Sequence, residues 1–420
     1  MPTKYDVAVI GGGAVGLCAA YYLQKSGKSV VVVDKSVPGT ADQSSYANAG
    51  YVAPSHIIPL ASPGIVSKGL RWMMNPDSPF YIHPRLEWQL VKWMWTFWRS
   101  ANPKTVERAI PILAALCNES ARQYDVLAND QNIGEFGLEK RGLLMLYNTE
   151  KAFQADHKVA ETAIKAGVPT KLLSPQEIQE TEPAYETPAV GAIYYTDDWH
   201  ISPSAFCGQL FSALQKSGVD FHPQNKTLKF DRENGKIRAM HIDSGEIRAQ
   251  EFVLAAGSWT TEIAKTLGLT LAIQAGKGYS VTVQSSQSSA KVPAILTERK
   301  VAVTPYGDKI RFAGTLEFNG LNMEINQRRV RAILSAVSQY LPNFDLSEAY
   351  QTQAWAGLRP CTPDGMPLVG RTKRFSNLTL AAGHAMVGIT LAPVTGKLVN
   401  EIINGEKPCV ETELLQPDRF

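Results

Sequence analysis

A glycine-rich turn near the start of the chain constrains the fold more than any other feature. Residues 5–10 form a short β-branched run, typical of a buried parallel strand, which leads into Gly11-Gly12-Gly13-Ala14-Val15-Gly16. A helix is expected over residues 17–25 and a second strand over 30–33. In a GxGxxG pattern the first glycine permits the tight turn, the second lets a pyrophosphate approach the backbone, and the third lets helix and strand pack closely. The order of these elements predicts a Rossmann-type βαβ unit.

An acidic residue completes this unit. Asp34 ends the second strand, 18 residues beyond Gly16, where a carboxylate can accept hydrogen bonds from ribose hydroxyls. The N-terminus of the helix presents free N–H groups and a positive dipole end to the phosphates. Together these features predict a site for an adenine dinucleotide, either FAD or NAD. The alternative is a βαβ unit whose turn is only structural.

Length and composition limit the classes of protein that remain. A chain of 420 residues is too long for one ordinary core, so two packed domains are expected. A formal net charge of +3 gives no support for a nucleic-acid partner. The seven histidines and five scattered cysteines form no cluster at ligand spacing, so no metal is expected, and a reducing, cytoplasmic location fits best. Neither a signal peptide nor a transmembrane helix is predicted.

A tryptophan-rich segment has two interpretations. Residues 72–98 hold five of the eight tryptophans, and a helix is predicted over residues 86–97. Trp88 and Trp95 are seven residues apart, which places them on one face of that helix. The segment either packs a helical part of the second domain or contacts a membrane surface or another subunit. A further helix is predicted over residues 109–130, and strand-like runs between residues 271 and 317 predict a mostly antiparallel sheet.

A second set of motifs lies in the C-terminal part of the chain. Gly357-Leu358-Arg359-Pro360 is followed by Pro363-Asp364-Gly365, and Gly383-His384 precedes a helix predicted from about residue 390. With the glycine turn, residues 44–50 (SSYANAG) and Ala255-Ala256-Gly257, these motifs resemble the amine-oxidising flavoproteins related to D-amino acid oxidase and glycine oxidase. The chain is most similar to the bacterial D-amino acid dehydrogenases, and the resemblance extends over almost its whole length.

This resemblance implies an α/β FAD-binding domain of Rossmann type, discontinuous in sequence, and an α+β substrate domain with a mostly antiparallel sheet. The FAD-binding domain would comprise residues 1–70, 190–270 and 350–420, and the substrate domain residues 71–189 and 271–349. Sarcosine oxidases attach their flavin to a cysteine where this chain has Gly357, so non-covalent FAD is expected. The residues implied to bind it are Gly11, Gly13, Ala14, Val15, Gly16, Asp34, Lys35, Ser44, Ser45, Asn48, Ala49, Gly50, Ala256, Gly257, Trp259, Gly357, Arg359, Gly383, His384, Met386, Val387 and Gly388.

The resemblance also implies a substrate and a reaction. Arg359 would pair with the carboxylate of a small amino acid, for which a planar guanidinium is well suited. Tyr279 resembles a tyrosine that reaches into the substrate pocket, and His384 either contacts the reacting groups or is structural. The implied reaction oxidises the C–N bond of a small D-amino acid, including cyclic ones such as D-proline or hydroxyproline, by hydride transfer to flavin N5. No dedicated acid–base residue is expected to be needed, and the sequence identifies none.

The electron acceptor and the assembly stay open. A dehydrogenase would pass electrons to a quinone or another carrier, whereas an oxidase of the glycine or sarcosine type would use oxygen. From a different class of protein, the alternative is a non-catalytic flavin-binding subunit of a larger complex, and an NAD-dependent dehydrogenase is a third reading. Two further partners are considered: the inner face of a membrane, and further copies of this chain in a homo-oligomer.

Overall fold

The first of two large sheets collects strands from distant parts of the chain. Its strands are β1 (Lys4–Ile10), β2 (Val30–Val33), β9 (Asp220–His222), β10 (Thr227–Glu233), β11 (Lys236–Ile242), β12 (Gly245–Leu254), β18 (Leu368–Arg371) and β19 (Leu378–Ala382). The order is β10-β11-β12-β1-β2-β9, and β19 pairs with both β12 and β18. The central pairs β12–β1, β1–β2 and β12–β19 are parallel. Because both faces of this sheet are covered, β2 consists of four buried valines.

The second sheet is built from the middle of the chain. Its strands are β4 (Phe80–Ile82), β5 (Leu143–Tyr147), β6 (Thr170–Leu173), β7 (Gly191–Tyr195), β13 (Gln274–Gln284), β14 (Ala294–Leu296), β15 (Val301–Tyr306), β16 (Lys309–Phe318) and β17 (Trp355–Cys361). They run in the order β17-β13-β16-β15-β14-β5-β7-β6, with β4 beside β16. The pairs are antiparallel except β14–β5 and β16–β4. The predicted fold class, a Rossmann-type sheet with a mostly antiparallel second sheet, is confirmed.

Two strands cross the predicted domain boundaries. β7 and β17 hydrogen-bond within the second sheet, although residues 190–195 and 350–361 were assigned to the FAD-binding domain. β17 belongs there because it pairs along its whole length with β13, from Gln274↔Cys361 to Ser280↔Trp355. The motif that carries Arg359 is therefore part of the sheet that faces the first domain.

The helices pack on the two sheets, and two short strands at residues 51–52 and 199–200 form a separate antiparallel pair. This structure is a computed structural model that describes residues 4–66, 69, 78–165, 167–284 and 290–420, so Trp72 lies outside the described residues. The helices of more than three residues are α1 (Ala14–Lys25), α2 (Trp88–Ser100), α3 (Pro103–Ala128), α4 (Glu150–Lys165), α5 (Pro175–Thr181), α6 (Pro203–Lys216), α7 (Thr260–Thr266), α8 (Gln327–Tyr340), α9 (Ser347–Gln351) and α10 (Gly388–Asn404). The small strands are β3 (Tyr51–Val52) and β8 (Trp199–His200).

Helix α3 begins earlier than the sequence predicts. The predicted start was residue 109, but the helix starts at Pro103, because the Asn102 side chain accepts a hydrogen bond from the Thr105 N–H and Pro103 occupies the first turn. Pro111, expected near the start, lies inside the helix. None of the described helices combines the length and the apolar character needed to cross a bilayer.

The last helix packs on the first one and so closes the N-terminal unit. A Cβ at Gly396 of α10 would lie 2.5 Å from the carbonyl carbon of Cys18 in α1, so only glycine permits this close approach. The contact places the N-terminus of α10 beside the carboxyl ends of β1 and β19, where the glycine turn also lies. The two ends of the chain thus meet at one place in the fold.

Candidate active site

One large cavity lies between the two sheets. Its volume is about 1210 Å³, which exceeds the roughly 300–1,000 Å³ of a pocket for a single small molecule. One wall comes from the carboxyl ends of β1 and β2 with the glycine turn, and the opposite wall from β13, β15, β16 and β17. A dinucleotide and a small second molecule therefore fit the space together.

The three glycines of the turn have different neighbours. Gly11 has φ +112°, and a Cβ there would overlap the Ala255 carbonyl oxygen. A Cβ at Gly16 would overlap the carbonyl oxygen of Gly11. At Gly13 the nearest atom to a Cβ would be Ser45 Oγ at 3.5 Å, and this residue lines the cavity. Packing of the protein does not demand glycine at this position, whereas a pyrophosphate lying against the backbone does.

Asp34 connects the second strand to the turn. Its Oδ2 accepts a hydrogen bond from the Gly12 N–H at 2.6 Å, and its Oδ1 accepts one from the Ser36 N–H at 2.7 Å. Burial raises the pKa of Asp34, and the two backbone donors oppose that effect. The carboxylate borders the cavity, with lone pairs left for ribose hydroxyls. Gln43, which sequence reasoning missed, donates to the Gly12 carbonyl at 2.9 Å and so also holds the turn.

A cation over an aromatic ring forms one part of the cavity wall. Lys35 Nζ lies 3.2 Å from the centroid of the Trp259 ring, and both side chains line the cavity. Burial lowers the pKa of Lys35. Asn225, Thr227 and Glu262 also border the cavity and were not predicted, because they come from separate elements that only the fold brings together.

Two serines fasten the SSYANAG loop across the cavity. Ser45 Oγ accepts a hydrogen bond from the Ala14 N–H at 3.2 Å, at the start of α1. Ser44 Oγ accepts one from the Leu358 N–H at 3.2 Å, on β17. The Asn48 carbonyl accepts from Arg311 Nη1 at 2.7 Å. The loop is therefore held on one side by the dinucleotide unit and on the other by the second sheet.

The N-terminus of α10 forms another part of the wall. Met386, Val387 and Gly388 border the cavity there. His384 is buried, its Nε2 lies 2.9 Å from Thr395 Oγ1, and burial lowers its pKa to about 4. His384 is therefore neutral at neutral pH, and the positive potential at this wall comes from the seventeen-residue helix and its free N–H groups.

Arg359 is the candidate substrate anchor. It lines the cavity from β17, and its Nη1 donates a hydrogen bond to the Thr315 carbonyl at 2.7 Å. Burial lowers its pKa, but a guanidinium remains protonated in proteins. In the described part of the chain no carboxylate lies within 4 Å of this group. Arg359 is half-buried, and because a cation withdrawn from water is normally paired, the arrangement suits an anionic ligand in the cavity.

Tyr279 lies beside this arginine, but its hydroxyl group already has a partner. The side chain is buried, it borders the cavity, and its hydroxyl donates to Glu317 Oε2 at 2.7 Å. Glu317 also lies 3.5 Å from the Arg329 guanidinium and 3.9 Å from Lys277 Nζ. Burial and the hydrogen bond to Glu317 raise the pKa of Tyr279. The ring thus shapes the wall while the hydroxyl belongs to a buried charge network.

These walls match the chemistry of FAD, and the comparison with known families decides the class. The model of the DAO family, described as FAD dependent oxidoreductase, matches residues 6–402. This chain belongs to the DAO family of FAD-dependent oxidoreductases. The resemblance, the cofactor and the enzyme class predicted from sequence are confirmed.

Curated relatives and solved structures agree with this family membership. The chain is 34% identical over 405 residues to a protein named D-amino acid dehydrogenase from Vibrio vulnificus (strain YJ016), covering 95% of this chain and 96% of the relative. It is 32% identical to another protein of that name from Granulibacter bethesdensis, covering 96% of this chain and 97% of the relative. Glycine oxidase from Geobacillus kaustophilus superposes with a TM-score of 0.79 at 20% identity, over 99% of both chains. L-proline dehydrogenase from P. horikoshii superposes with a TM-score of 0.76 at 20% identity, over 100% of this chain and 98% of that protein.

The structure brings most of the predicted FAD-site residues to the cavity wall. Three of them lie outside it: Gly16, Gly50 and Gly383. Gly16 packs α1 on β1, Gly50 faces the Ile201 carbonyl, and Gly383 faces the Thr362 side chain at 2.7 Å. All five cysteines are among the described residues and none borders the cavity, which agrees with non-covalent FAD.

Sequence reasoning missed two other groups in this DAO-family site. One is an apolar branch of the cavity, where Phe80, Ile82, Trp93, Phe97 and Phe318 line the space between α2 and the second sheet. The other is His56, which lines the cavity from the segment after β3. Neither carries a motif, because their positions depend on pairing between distant segments.

A group of ligand atoms suited to a metal lies elsewhere. Asp231, His241 and Glu246 converge on the β10–β12 hairpins, which sequence spacing did not indicate. His241 Nε2 lies 2.8 Å from Asp231 Oδ2, and this contact lowers the pKa of Asp231. Glu246 pairs with Arg248. The group therefore has partners within the protein and lies apart from the cavity.

Proposed function

We propose that this enzyme is an FAD-dependent D-amino acid dehydrogenase that oxidises the C–N bond of a small amino acid. The observation that carries the proposal is Arg359, a half-buried guanidinium without a carboxylate partner among the described residues, in the same cavity as the proposed FAD site. The curated relatives of similar length are named D-amino acid dehydrogenases. A non-catalytic flavin-binding subunit would have no need of this arrangement.

The residues of the chain bind and orient the substrate. Arg359 clamps the carboxylate with two parallel hydrogen bonds and thereby fixes the direction of the Cα–H bond. The apolar wall excludes water from the reacting centre. When bound, FAD supplies the acceptor for the hydride that leaves Cα. The product from a primary amino acid is an imino acid, which water converts to a 2-oxo acid and ammonia, whereas a cyclic amino acid such as proline gives a cyclic imine.

A small cyclic substrate such as D-proline or a hydroxyproline is the form we favour. The ring of Tyr279 and the β-sheet wall leave an apolar space beside Arg359, and a cyclic side chain buries its methylene groups without further loss of rotamer entropy. A solved relative with the same fold is named L-proline dehydrogenase, so the architecture accommodates a cyclic amine.

Electrons leave, in this proposal, to a quinone at a membrane surface. Helix α2 has two apolar faces. Trp93 and Phe97 border the cavity, while Trp88 and Trp95 are exposed by 78% and 58%; Trp98 does both, since it borders the cavity and is 55% exposed. Cationic Lys92 and Arg99 lie on its exposed side, as in helices that bind anionic lipid. The aromatic branch of the cavity thus reaches the surface at the point where a lipid-soluble acceptor would arrive.

Anaerobic mixing of the purified yellow protein with amino acids tests the function. Among D- and L-amino acids, glycine, sarcosine and hydroxyprolines, small D-amino acids should bleach the flavin. Arg359→Ala should lower kcat/KM by roughly 30- to 5,000-fold, since removing one partner of a buried charge pair costs about 2–5 kcal/mol. Arg331→Ala, an exposed arginine of α8, is the matched control and should leave kcat/KM unchanged. Unaltered turnover in Arg359→Ala would contradict the proposal.

A further inference from the structure

The proposed reaction requires a proton acceptor that the sequence did not reveal. A free amino acid carries an ammonium group at neutral pH, and Cα–H leaves as hydride only when the nitrogen lone pair is available. The proton must therefore move to another group before the C–N bond is oxidised. This inference rests on the proposed function and identifies the residues of the same cavity that receive the proton.

Three polar side chains form a connected chain beside the cavity. Ser55 Oγ donates to Asp198 Oδ2 at 2.5 Å, and the Ser55 N–H donates to Asp198 Oδ1 at 3.0 Å. His56 Nδ1 lies 3.1 Å from Ser55 Oγ. Because the single hydroxyl proton of Ser55 is directed at Asp198, His56 must donate from Nδ1, which leaves Nε2 as an acceptor. Nε2 has no hydrogen-bond partner within the described residues.

His56 lies on a segment that is held by the protein on both sides and that lines the cavity shared with Arg359. Three residues earlier, Ala53 donates its N–H to Thr390 Oγ1 at 3.4 Å, at the start of α10. The following residues Pro59 and Leu60 touch the turn at Gly365, at 3.0 Å from the position of a Cβ there, just beyond the strand that bears Arg359. His56 lines the cavity between these points with 34% of its side chain accessible, whereas the Asp198 side chain is 1% accessible.

The charged groups around the chain set the protonation states. Burial, with Lys300 facing the ring, lowers the pKa of His56 to about 4, so its imidazole is neutral and able to accept. Burial raises the pKa of Asp198 to about 7, and Asp197 adds to this effect, while the two hydrogen bonds from Ser55 oppose it. Tyr51, Tyr195 and Cys117 also face Asp198 and remain neutral, since burial raises the pKa of each. A carboxylate of this kind holds a proton near neutral pH, unlike an ordinary aspartate.

We infer that His56 takes a proton from the substrate ammonium and passes its own Nδ1 proton through Ser55 to Asp198. In this step an N–H bond of the substrate breaks and an Nε2–H bond forms. The Nδ1–H proton moves to Ser55 Oγ, and the Ser55 hydroxyl proton moves to the Asp198 carboxylate. One proton is transferred and no electron moves. His56 is then a catalytic residue, and Ser55 and Asp198 are positioning residues that act through it.

The pH dependence of anaerobic flavin reduction at saturating substrate tests this relay. In the unmodified enzyme the rate should rise with pH through about 7 and then level off, because Asp198 must be ionised. His56→Gln should be slower by about 100-fold at pH 7, the lower end of what a general base contributes. At about pH 10, where the substrate loses its proton to water, the same variant should come within about threefold of the unmodified rate.

Further variants separate the relay from packing. Ser55→Ala should show the same pH-dependent loss, and Ser55→Thr, which keeps the hydroxyl, should restore most of the rate at pH 7. His157→Gln, on the surface of α4, is the control and should have an unchanged pH profile. If His56→Gln loses the same fraction of the rate of flavin reduction at pH 7 and pH 10, or loses none at pH 7, the relay is overturned. The proposed function is not affected by either result. If no amino acid reduces the unmodified enzyme at any pH, both the proposed function and the relay are overturned.

Discussion

Gly278 shows how the absence of one side chain makes room for Arg359, the proposed substrate anchor. In the register of β13 and β17, Gly278 lies opposite Gly357 and Gly276 opposite Arg359, so the guanidinium lies diagonally across Gly278. A Cβ at Gly278 would overlap Nη1 of Arg359. The resemblance to a known family could predict Arg359, but the supporting glycine could not be identified before the pairing of the two strands was known.

Gly278→Ala should therefore displace the arginine without disturbing the cofactor. We expect kcat/KM for the amino acid to fall by about 10- to 100-fold, since a displacement of about 1 Å in a site costs up to about 100-fold. FAD content should be unchanged. Steady-state kinetics and the absorbance ratio of flavin to protein measure both. Gly208→Ala, where a Cβ would meet no atom within 4 Å, is the control, and equal kinetics in the two variants would contradict the role of Gly278.

Asp198 gives a prediction for stability that does not depend on catalysis. Its pKa is raised to about 7 in the folded protein, from an ordinary value near 4, because it is buried. The folded state thus binds the proton more tightly than the unfolded state, so this stabilisation is present below about pH 4 and is lost as the pH rises through 7. Asp198→Asn should melt higher than the unmodified protein at pH 8, by about 2 °C or more, with a smaller gain at pH 4.5.

Thermal melting at the two pH values measures this difference. Asp308→Asn is the matched control, because Asp308 is an exposed aspartate in the turn between β15 and β16 and its charge is solvated. A lower melting temperature for Asp198→Asn at pH 8 would show that the ionised carboxylate stabilises the fold.

At the scale of elements, the sequence predicts where a helix forms better than it predicts what packs against each face of that helix. The aromatic run predicted a helix over 86–97, and the structure has α2 over Trp88–Ser100, since the spacing of the apolar residues is a local property. Of the two interpretations of the tryptophan-rich segment, packing within the protein applies to the inner face of α2. There the Trp93 indole N–H donates a hydrogen bond to the Cys361 carbonyl oxygen at 2.9 Å. The outer tryptophans stay exposed, and sequence periodicity alone could not divide the residues between the two faces.

The outer face of α2 should bind anionic membranes. The rings of Trp95 and Trp98 are 5.0 Å apart, and replacing both by serine should abolish co-sedimentation with vesicles that contain phosphatidylglycerol. The melting temperature should hardly change, because surface substitutions shift stability by about 0.5 kcal/mol or less. Replacement of Trp93, which is buried, should instead lower the melting temperature. If the serine variant still binds vesicles, this face of α2 is not the membrane contact. If the substitutions change the oligomeric state and not vesicle binding, this face contacts another subunit.

At the scale of the whole molecule, the cofactor site exists only where the two sheets face each other. The discontinuous fold was predictable from the order of the motifs, because the dinucleotide turn and the Arg359 motif lie at opposite ends of the chain. The domain boundaries were not predictable, since no motif in β7 or β17 indicates which sheet they join and only the hydrogen bonding shows it. Likewise, the relay of Ser55, His56 and Asp198 unites residues 143 positions apart.

Bound FAD should therefore stabilise both parts of the molecule together. At a FAD concentration 100 times its Kd the folded state gains about 2.7 kcal/mol, which should raise the melting temperature by several degrees in one transition. FMN lacks the adenosine half of FAD, including the ribose that Asp34 is expected to bind. Calorimetry should show a much smaller increase with FMN, and equal shifts for the two flavins would contradict a contribution of the adenosine half to binding.

The order of strands in the first sheet has a consequence for the synthesis of the protein. β1 emerges from the ribosome first, but Val9 pairs with Val253, and β12 in turn pairs with β19 at Leu378–Leu380. Such long-range pairing forms late during translation. The glycine turn therefore lacks β19 and the helix that packs on α1 until α10 has been made. A messenger truncated after codon 361 should yield a chain that carries the complete dinucleotide motif and retains no flavin.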